Sequence, residues 1–192
     1  RYMMVGFPGF SGALSGMVHG KFSLSLNWAP PSTCALHAIS SMSPPFLLRY
    51  VLDNANSYED AHRLLANTPV SCPVFFTLCG SKKGEACVIE RTEEHQCTTK
   101  IGTKGHLIQT NHFRTRGFTY LNEGNEEDDI YGTEHSKLRE SKLTKALSKL
   151  RNIPDMEQCR EVLVVPEVEN EDTCQQMVLS PRESTYRLWR RT

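Results

Sequence analysis

Asn111 stands where a side-chain amide could take part in catalysis. It lies in the run Thr110-Asn111-His112-Phe113, which follows the short apolar run 106–109 and precedes a polar, glycine-containing stretch. This order predicts a strand that ends at Asn111. A carboxamide at such a position supplies fixed N–H donors that can stabilise a developing oxyanion without adding a net charge. The alternative is that Asn111 begins a loop, where asparagine is common because its side chain bonds its own backbone.

Other motifs accompany Asn111 in a fixed order along the chain. Residues 12–17 predict a glycine turn, and residues 22–27 predict a strand that also ends in asparagine. Residues 136–143 have the form Ser-x-x-Arg-x-x-x-Leu, and residues 176–179 and 185–189 predict a final strand pair. Taken in this order, the motifs resemble the cysteine amidases with an N-terminal nucleophile, which include choloylglycine hydrolase, acid ceramidase, N-acylethanolamine acid amidase and the penicillin acyltransferases.

The resemblance implies three catalytic positions. Asn27 and Asn111 match the family's site asparagines, whose amides are expected to stabilise the tetrahedral intermediate. Arg139 matches the later arginine that orients the site or the acyl group of the substrate. Arg114 and Arg116 lie closer to Asn111 in the sequence and compete for that role.

Two aromatic residues are candidates for substrate binding. Trp28 and Phe113 adjoin the two site asparagines and could line an apolar acyl pocket, although packing in the core is the alternative for both. His106 and His112 lack a third ligand at a usable spacing, so they predict no metal site and receive no role. The resemblance implies no cofactor.

The expected nucleophile has no counterpart in these residues. In the family, a cysteine at the first position of the catalytic subunit attacks the amide, and its own α-amine serves as the base. Here residue 1 is Arg1, and the first cysteine, Cys34, follows the Asn27 strand. We therefore expect one domain, 1–192, that forms the C-terminal portion of an amidase catalytic subunit and is inactive alone. The missing N-terminal segment or subunit is an expected partner.

The resulting hypothesis is a hydrolase of linear amide C–N bonds that acts through a cysteine nucleophile. Its small-molecule substrate would be an N-acyl amide, lipid amide or ceramide-like molecule with an apolar acyl group, and acyl transfer remains open. One alternative is a non-catalytic binding or regulatory module that retains the fold. Another is a cysteine hydrolase that pairs Cys34, Cys72 or Cys79 with His112. Resemblance to the animal amidases favours a lysosomal or secreted location, although intracellular members occur.

Composition excludes several other classes of protein. The 192 residues are 39% hydrophobic and carry 22 basic and 22 acidic side chains, so charge gives no reason to expect a nucleic acid as partner. No apolar run approaches the roughly 20 residues that span a bilayer. Seven cysteines without a Cys-x-x-Cys pair disfavour a zinc site. Buried free thiols are the favoured state of these cysteines.

Local signals predict two short helices followed by a hairpin. Pro45 suits the first turn of a helix that ends near Asn54. Ser57-x-x-Asp60 predicts the cap of a second helix, which ends before Pro69. Residues 74–78 and 85–90 are rich in β-forming residues, and the segment between them contains Gly80 and Gly84. These runs predict a β-hairpin.

Further signals complete an α+β layered domain. Residues 122–129 are acidic and predict a solvated loop. Residues 134–151 predict a helix with leucines on one broad side, at positions 138, 143, 147 and 150. Helices outside two packed sheets would cover every apolar face. The resemblance implies the four-layer αββα sandwich of the N-terminal-nucleophile hydrolase type, incomplete at its N-terminus.

Overall fold

The structure is a computed structural model. It describes residues 1–29, 41–92, 96–100, 105–122 and 132–190. Within these ranges the elements, in chain order, are β1 (Tyr2–Val5), β2 (Ser15–Val18), β3 (Phe22–Trp28), α1 (Pro44–Asn54), α2 (Tyr58–Asn67), β4 (Val74–Gly80), β5 (Ala86–Arg91), β6 (Gln96–Lys100), α3 (Thr133–Ser148), α4 (Met156–Leu163), β7 (Gln175–Ser180) and β8 (Thr185–Arg190).

Six of the strands form one sheet in the order β1-β2-β3-β4-β5-β6. Every neighbouring pair is antiparallel, and Asn27 of β3 lies opposite Phe75 of β4. The remaining strands, β7 and β8, pair with each other as a separate hairpin. The predicted hairpin of β4 and β5 and the predicted final strand pair are both confirmed, as is the α+β class.

Alternation of side chains along the strands gives the large sheet two apolar faces. Phe22 and Phe76 belong to the main core, which helices α1 and α2 cover. Phe75 and Phe113 belong to a smaller cluster on the other face. Residues directly opposite each other on paired strands point to the same side. Asn27 therefore shares the second face with Phe75, and this is the face on which the site is built.

Helices α1 and α2 begin and end close to the predicted positions. Proline occupies the first turn of α1, where a missing backbone N–H costs little. The Ser57 side chain accepts a hydrogen bond from the backbone N–H of Asp60, 3.1 Å away, and so caps α2 as predicted. At the far end of α2, the Arg91 guanidinium donates to the carbonyl of Leu65 and, at 2.9 Å, to that of Thr68. The last turn of α2 is thereby tied to β5.

Two sequence-based predictions of local structure are wrong. Residues 106–114 do not form a strand before Asn111, because their backbone groups bond to side chains from other elements instead of a neighbouring strand. Gly16 lies inside β2, not in a turn, and the turn that precedes β3 contains Gly20 with φ of +73°. Glycine is needed at position 16 for close approach, since a Cβ there would lie 2.8 Å from the Met3 carbonyl oxygen.

The predicted long helix is present as α3, but its leucine side is not buried as expected. Leu138 is 42% exposed, and Ser136 is the one buried residue of α3. Helix α4 and strand β1 were not predicted. The signal for α4 is a capping box, in which Asp155 and Gln158 bond each other's backbone N–H groups.

Five cysteines have described side chains, and Cys79, Cys159 and Cys174 among them are free thiols. Cys72 and Cys87 are buried, Cys159 is half-buried, and Cys79 and Cys174 are exposed. The expectation of buried thiols therefore holds for two of the five. Cys34, the side chain of Cys97 and the acidic stretch from residue 123 onward lie outside the described residues. Among the described helices, none is long and apolar enough to cross a membrane.

Gly16→Ala is expected to destabilise the fold by about 1 to 3 kcal/mol, because the new methyl group overpacks the contact between β2 and α1. The added Cβ would lie 2.5 Å from the Leu52 side chain as well as close to Met3. Gly117→Ala is the matched control, since a Cβ at that position meets nothing within 4 Å. Urea unfolding of both variants measures the difference, and equal midpoints would contradict the close approach.

Candidate functional site

The side-chain amide of Asn111 joins two elements of the fold. Its Nδ2 donates to the backbone carbonyl of Trp28 at 2.8 Å, and its Oδ1 accepts from Arg139 Nη2 at 2.9 Å. The first contact anchors Asn111 to the end of β3, one residue beyond Asn27, and the second anchors it to α3. The structure therefore brings the predicted residues Asn111 and Arg139 into direct contact, and Asn27 is the residue before Trp28, whose carbonyl Asn111 binds.

Helix α3 presents one face to the irregular stretch of residues 106–115, which contains Asn111 and is called the segment below. Ser136, Arg139 and Glu140 are spaced i, i+3 and i+4, so they lie on the same side of the helix. Ser136 Oγ accepts a hydrogen bond from the backbone N–H of Asn111 at 2.7 Å. Backbone and side chain of Asn111 are thus both bonded to the same face of α3.

His112 lies in a buried polar cluster, which we define as Thr110, His112, Ser136 and Glu140. His112 Nδ1 is 2.8 Å from Ser136 Oγ, and its Nε2 is 3.0 Å from Glu140 Oε2. Ser136 Oγ also donates to Thr110 Oγ1 at 2.9 Å. From the sequence alone, His112 received no role. The sequence signal for this cluster was two polar pairs, Thr110 with His112 and Ser136 with Glu140. These pairs come together only when α3 packs against the residues around Asn111.

Two further side chains hold the segment after His112. The Glu90 carboxylate is buried on β5 and accepts from the backbone N–H groups of Arg114 and Thr115, at 2.9 and 3.1 Å. Asn122 accepts from the N–H of Phe113 at 2.8 Å and donates to its carbonyl at 2.9 Å. These bonds fix the backbone immediately after Asn111 against the second face of the sheet.

The structure distinguishes the three candidate arginines. Arg139 is half-buried and bonded to Asn111. Arg114 has other partners: its Nη1 donates to the Ile108 carbonyl at 3.1 Å, and its Nε lies 3.3 Å from Glu140 Oε1. Arg116 is exposed. Arg139 is therefore the arginine placed to act with Asn111.

The two aromatic candidates differ in accessibility. Trp28 is 48% exposed at the end of β3, where its backbone carbonyl accepts from Asn111. Its side chain lies opposite Val74 of the main core, on the other face of the sheet from Asn27. Phe113 is buried, and its ring contacts those of Phe75 and Phe118 with centroids 4.8 and 5.8 Å away. These placements favour packing as the role of Phe113 and leave Trp28 as the accessible aromatic surface of the pair.

His112 is committed to the buried polar cluster through both ring nitrogens, which weakens the hypothesis that it activates a cysteine. Cys79 lies opposite Ser23, four residues before Asn27 along β3. Cys72 is buried. The described residues include no group of three or more histidine, cysteine, aspartate or glutamate side chains placed to hold a metal.

A family model for acyl-coenzyme A:6-aminopenicillanic acid acyl-transferase matches residues 36–163. The match includes Asn111 and Arg139, while Asn27 and Trp28 precede it. Acid ceramidases of Pan troglodytes, Homo sapiens and Mus musculus are 34%, 33% and 32% identical over 130 residues. Each alignment covers 61% of this chain and 33% of the relative, so the aligned part is about a third of the length of those proteins.

A solved structure with the same fold is the Caenorhabditis elegans ortholog of N-acylethanolamine-hydrolyzing acid amidase. The superposition has a TM-score of 0.71 at 19% sequence identity and covers 98% of this chain and 86% of that chain. At this identity the comparison establishes the architecture alone. The predicted N-terminal-nucleophile hydrolase type of fold is confirmed by it.

Stability is expected to depend on the ionisation of Glu140. Its hydrogen bond with His112 and then the charge of Arg114 hold the pKa of Glu140 below its ordinary value. A depressed carboxylate pKa stabilises the fold above the unfolded value of about 4.3, and the stabilisation is lost as pH falls through the lower folded value. Glu140→Gln should therefore destabilise the protein at pH 6, and the difference from wild type should shrink below about pH 4.3.

Thermal unfolding between pH 7 and pH 3 measures this difference. Glu134→Gln is the matched control on the same helix, because Glu134 has a side chain that is 78% exposed and pairs with Lys137 at the surface. A gap between wild type and Glu140→Gln that stays constant across the whole pH range would contradict the assigned contact.

Proposed function

Because this chain belongs to the acyl-coenzyme A:6-aminopenicillanic acid acyl-transferase family, we propose that it contributes Asn27, Asn111 and Arg139 to an amidase active site. The reaction would be hydrolysis of a linear amide C–N bond. The observation that supports this proposal most directly is the hydrogen-bonded pair of Asn111 and Arg139 beside the end of β3. Amide-hydrolysing relatives of similar sequence or fold support the same class of reaction.

The chemistry requires a nucleophile, which we propose is a cysteine outside these 192 residues, because the chain corresponds to about a third of its acid ceramidase relatives. Its thiolate attacks the carbonyl carbon, and the C=O electron pair moves to oxygen to give a tetrahedral oxyanion. The α-amine of the same cysteine takes the thiol proton and passes it to the substrate nitrogen, so that collapse of the intermediate breaks the C–N bond and releases a neutral amine. Water then hydrolyses the thioester and regenerates the thiol.

In this scheme Asn111 stabilises the oxyanion. Its NH₂ group has two N–H donors, and the bond to the Trp28 carbonyl fixes one of them. We propose that the second faces the carbonyl oxygen of the substrate. Arg139 donates to Oδ1 at the other end of the amide, so it fixes which end of the side chain points toward β3. A charged donor on Oδ1 also polarises the amide and strengthens its N–H groups.

The proposed substrate is an N-acyl amide, lipid amide or ceramide-like molecule with an apolar acyl group. Support comes from the names of the relatives, acid ceramidase and N-acylethanolamine-hydrolyzing acid amidase. We also propose a lysosomal or secreted location, because the names of both relatives describe acid enzymes.

Asn111→Ala in the full-length protein is expected to lower kcat by about 10² to 10³, or roughly 2.7 to 4 kcal/mol, because a preorganised oxyanion donor is lost. KM should change much less. Steady-state hydrolysis of a fluorogenic acyl amide measures both constants, and thermal unfolding on the same preparation reports the folded fraction. Asn152→Ala is the control, since Asn152 is exposed on the loop after α3. Retained kcat in well-folded Asn111→Ala protein would refute the role.

The chain of residues 1–192 by itself is expected to show no measurable turnover of fluorogenic acyl amides. Asn27, Asn111 and Arg139 bind and stabilise charge, and these groups alone do not supply the covalent step. The assay compares the purified chain with the full-length protein under identical conditions. Turnover by the chain that disappears on thiol alkylation would reveal a cysteine nucleophile within residues 1–192. It would contradict the proposal that the nucleophile lies outside them.

A further inference from the structure

We propose that Ser136 and His112 are positioning residues that hold Asn111 and Arg139 in the geometry of the reaction. The inference rests on the amidase function proposed above and extends it to side chains that do not touch the substrate.

The N-terminal half of α3 is held to the domain by polar contacts. Ser136 is the one buried residue of α3, and Leu138 is 42% exposed. Half-buried Leu143 and Leu147 lie farther along the helix, so at the site directional hydrogen bonds decide its placement. Because Arg139 is carried by α3, the position of its guanidinium depends on those same bonds.

Ser136 Oγ is the centre of the contacts between α3 and the segment. It has no exposed surface and lies within hydrogen-bond distance of three groups: the Asn111 N–H at 2.7 Å, His112 Nδ1 at 2.8 Å and Thr110 Oγ1 at 2.9 Å. A buried donor or acceptor left without a partner is costly. Removing this oxygen would leave the Asn111 N–H without its acceptor, so the segment would have to shift.

The distances in the buried polar cluster also match those of a serine–histidine–carboxylate triad, yet they do not make Ser136 a nucleophile. A nucleophilic oxygen must reach a substrate carbonyl, and Ser136 is fully buried behind Asn111. One of its lone pairs accepts from the Asn111 N–H, and the rest of its bonding capacity is taken by His112 and Thr110. The triad geometry therefore serves to place neighbouring groups.

The buried polar cluster can be satisfied in either protonation state of His112. When Nδ1 carries no proton, the Ser136 hydroxyl donates to it and Thr110 donates to Ser136 Oγ. When Nδ1 is protonated, it donates to Ser136 Oγ, whose hydroxyl turns to Thr110. In both cases Nε2 donates to the Glu140 carboxylate. The bond from the Asn111 N–H to Ser136 Oγ is kept throughout.

The positions of the partners make the coupling direct. Asn111 lies between Thr110 and His112, and Arg139 lies between Ser136 and Glu140 in sequence on α3. The outer residues bond each other across the interface, and the central pair, Asn111 and Arg139, bonds between them. A displacement of residues 110–112 relative to α3 would therefore misalign the Asn111 amide, which we propose binds the oxyanion.

The test uses the full-length protein and the variants Ser136→Ala, Ser136→Thr and Ser141→Ala. Ser136→Thr keeps the hydroxyl, and Ser141 is an exposed serine on the same helix. Ser136→Ala is expected to lower kcat by about 10²-fold, as a misplaced catalytic group does, with KM within about threefold of wild type. Ser136→Thr should recover most of this loss, and Ser141→Ala should match wild type.

Amide hydrogen exchange, followed by mass spectrometry, gives a second readout that does not need activity. Ser136→Ala should speed exchange in residues 107–115 and leave β4 and β5 unchanged. If Ser136→Ala does not fold, His112→Gln is measured in the same way, because glutamine reaches Glu140 but loses the bond to Ser136. In folded protein, unchanged exchange in 107–115 would overturn the positioning role, as would faster exchange with unchanged kcat.

These two readouts separate the inference from the proposed function. Wild-type protein without amidase activity would refute the proposed function, and exchange in residues 107–115 would still decide whether Ser136 positions Asn111. Active wild type with full kcat in Ser136→Ala would leave the amidase function standing and overturn the inference.

Discussion

The structure of the site depends on how the backbone N–H groups of residues 111–115 are satisfied. A segment without strand partners must bond these groups to something else, since buried backbone donors are almost always paired. Here the acceptors are side chains: Ser136 of α3, Asn122 seven residues after the segment, and Glu90 of β5. The segment is irregular, yet the backbone N–H groups of residues 111, 113, 114 and 115 each have a side-chain acceptor.

Strand β5 connects this segment to the rest of the fold through two adjacent charged residues. Glu90 and Arg91 are both buried and point to opposite faces of the sheet. Glu90 binds the segment on the second face, while Arg91 binds the last carbonyls of α2 on the core face. Both carboxylate oxygens of Glu90 and both terminal guanidinium nitrogens of Arg91 bond to backbone groups, which makes the burial of these charges tolerable. Two adjacent positions in β5 thus link the helical layer to the site.

The accuracy of the sequence-based predictions follows the range of the interactions that determine each element. Pro45, the Ser57 cap and the glycines between β4 and β5 act within a few residues, and their elements were predicted correctly. The run before Asn111 resembles a strand, but contacts with Glu90 and Ser136 override that local preference. The family resemblance, which rested on the order of several motifs and not on any single element, is confirmed by the family-model match over residues 36–163. His112 was missed because its partners are 24 and 28 positions away.

Helix α3 is the part of the site with the least apolar anchoring, and this has a mechanical consequence. The end of β3 is fixed by strand pairing on both sides, from Leu14 and from β4. Arg139, in contrast, is carried by a helix whose contacts with residues 110–112 are hydrogen bonds of about 0.5 to 1.5 kcal/mol each. Asn111 spans these two supports, with one end of its amide on the rigid sheet and the other on the weakly buried helix. Differences in site geometry between family members should therefore arise on the α3 side, where substituting one buried polar residue can move the arginine without disturbing the sheet.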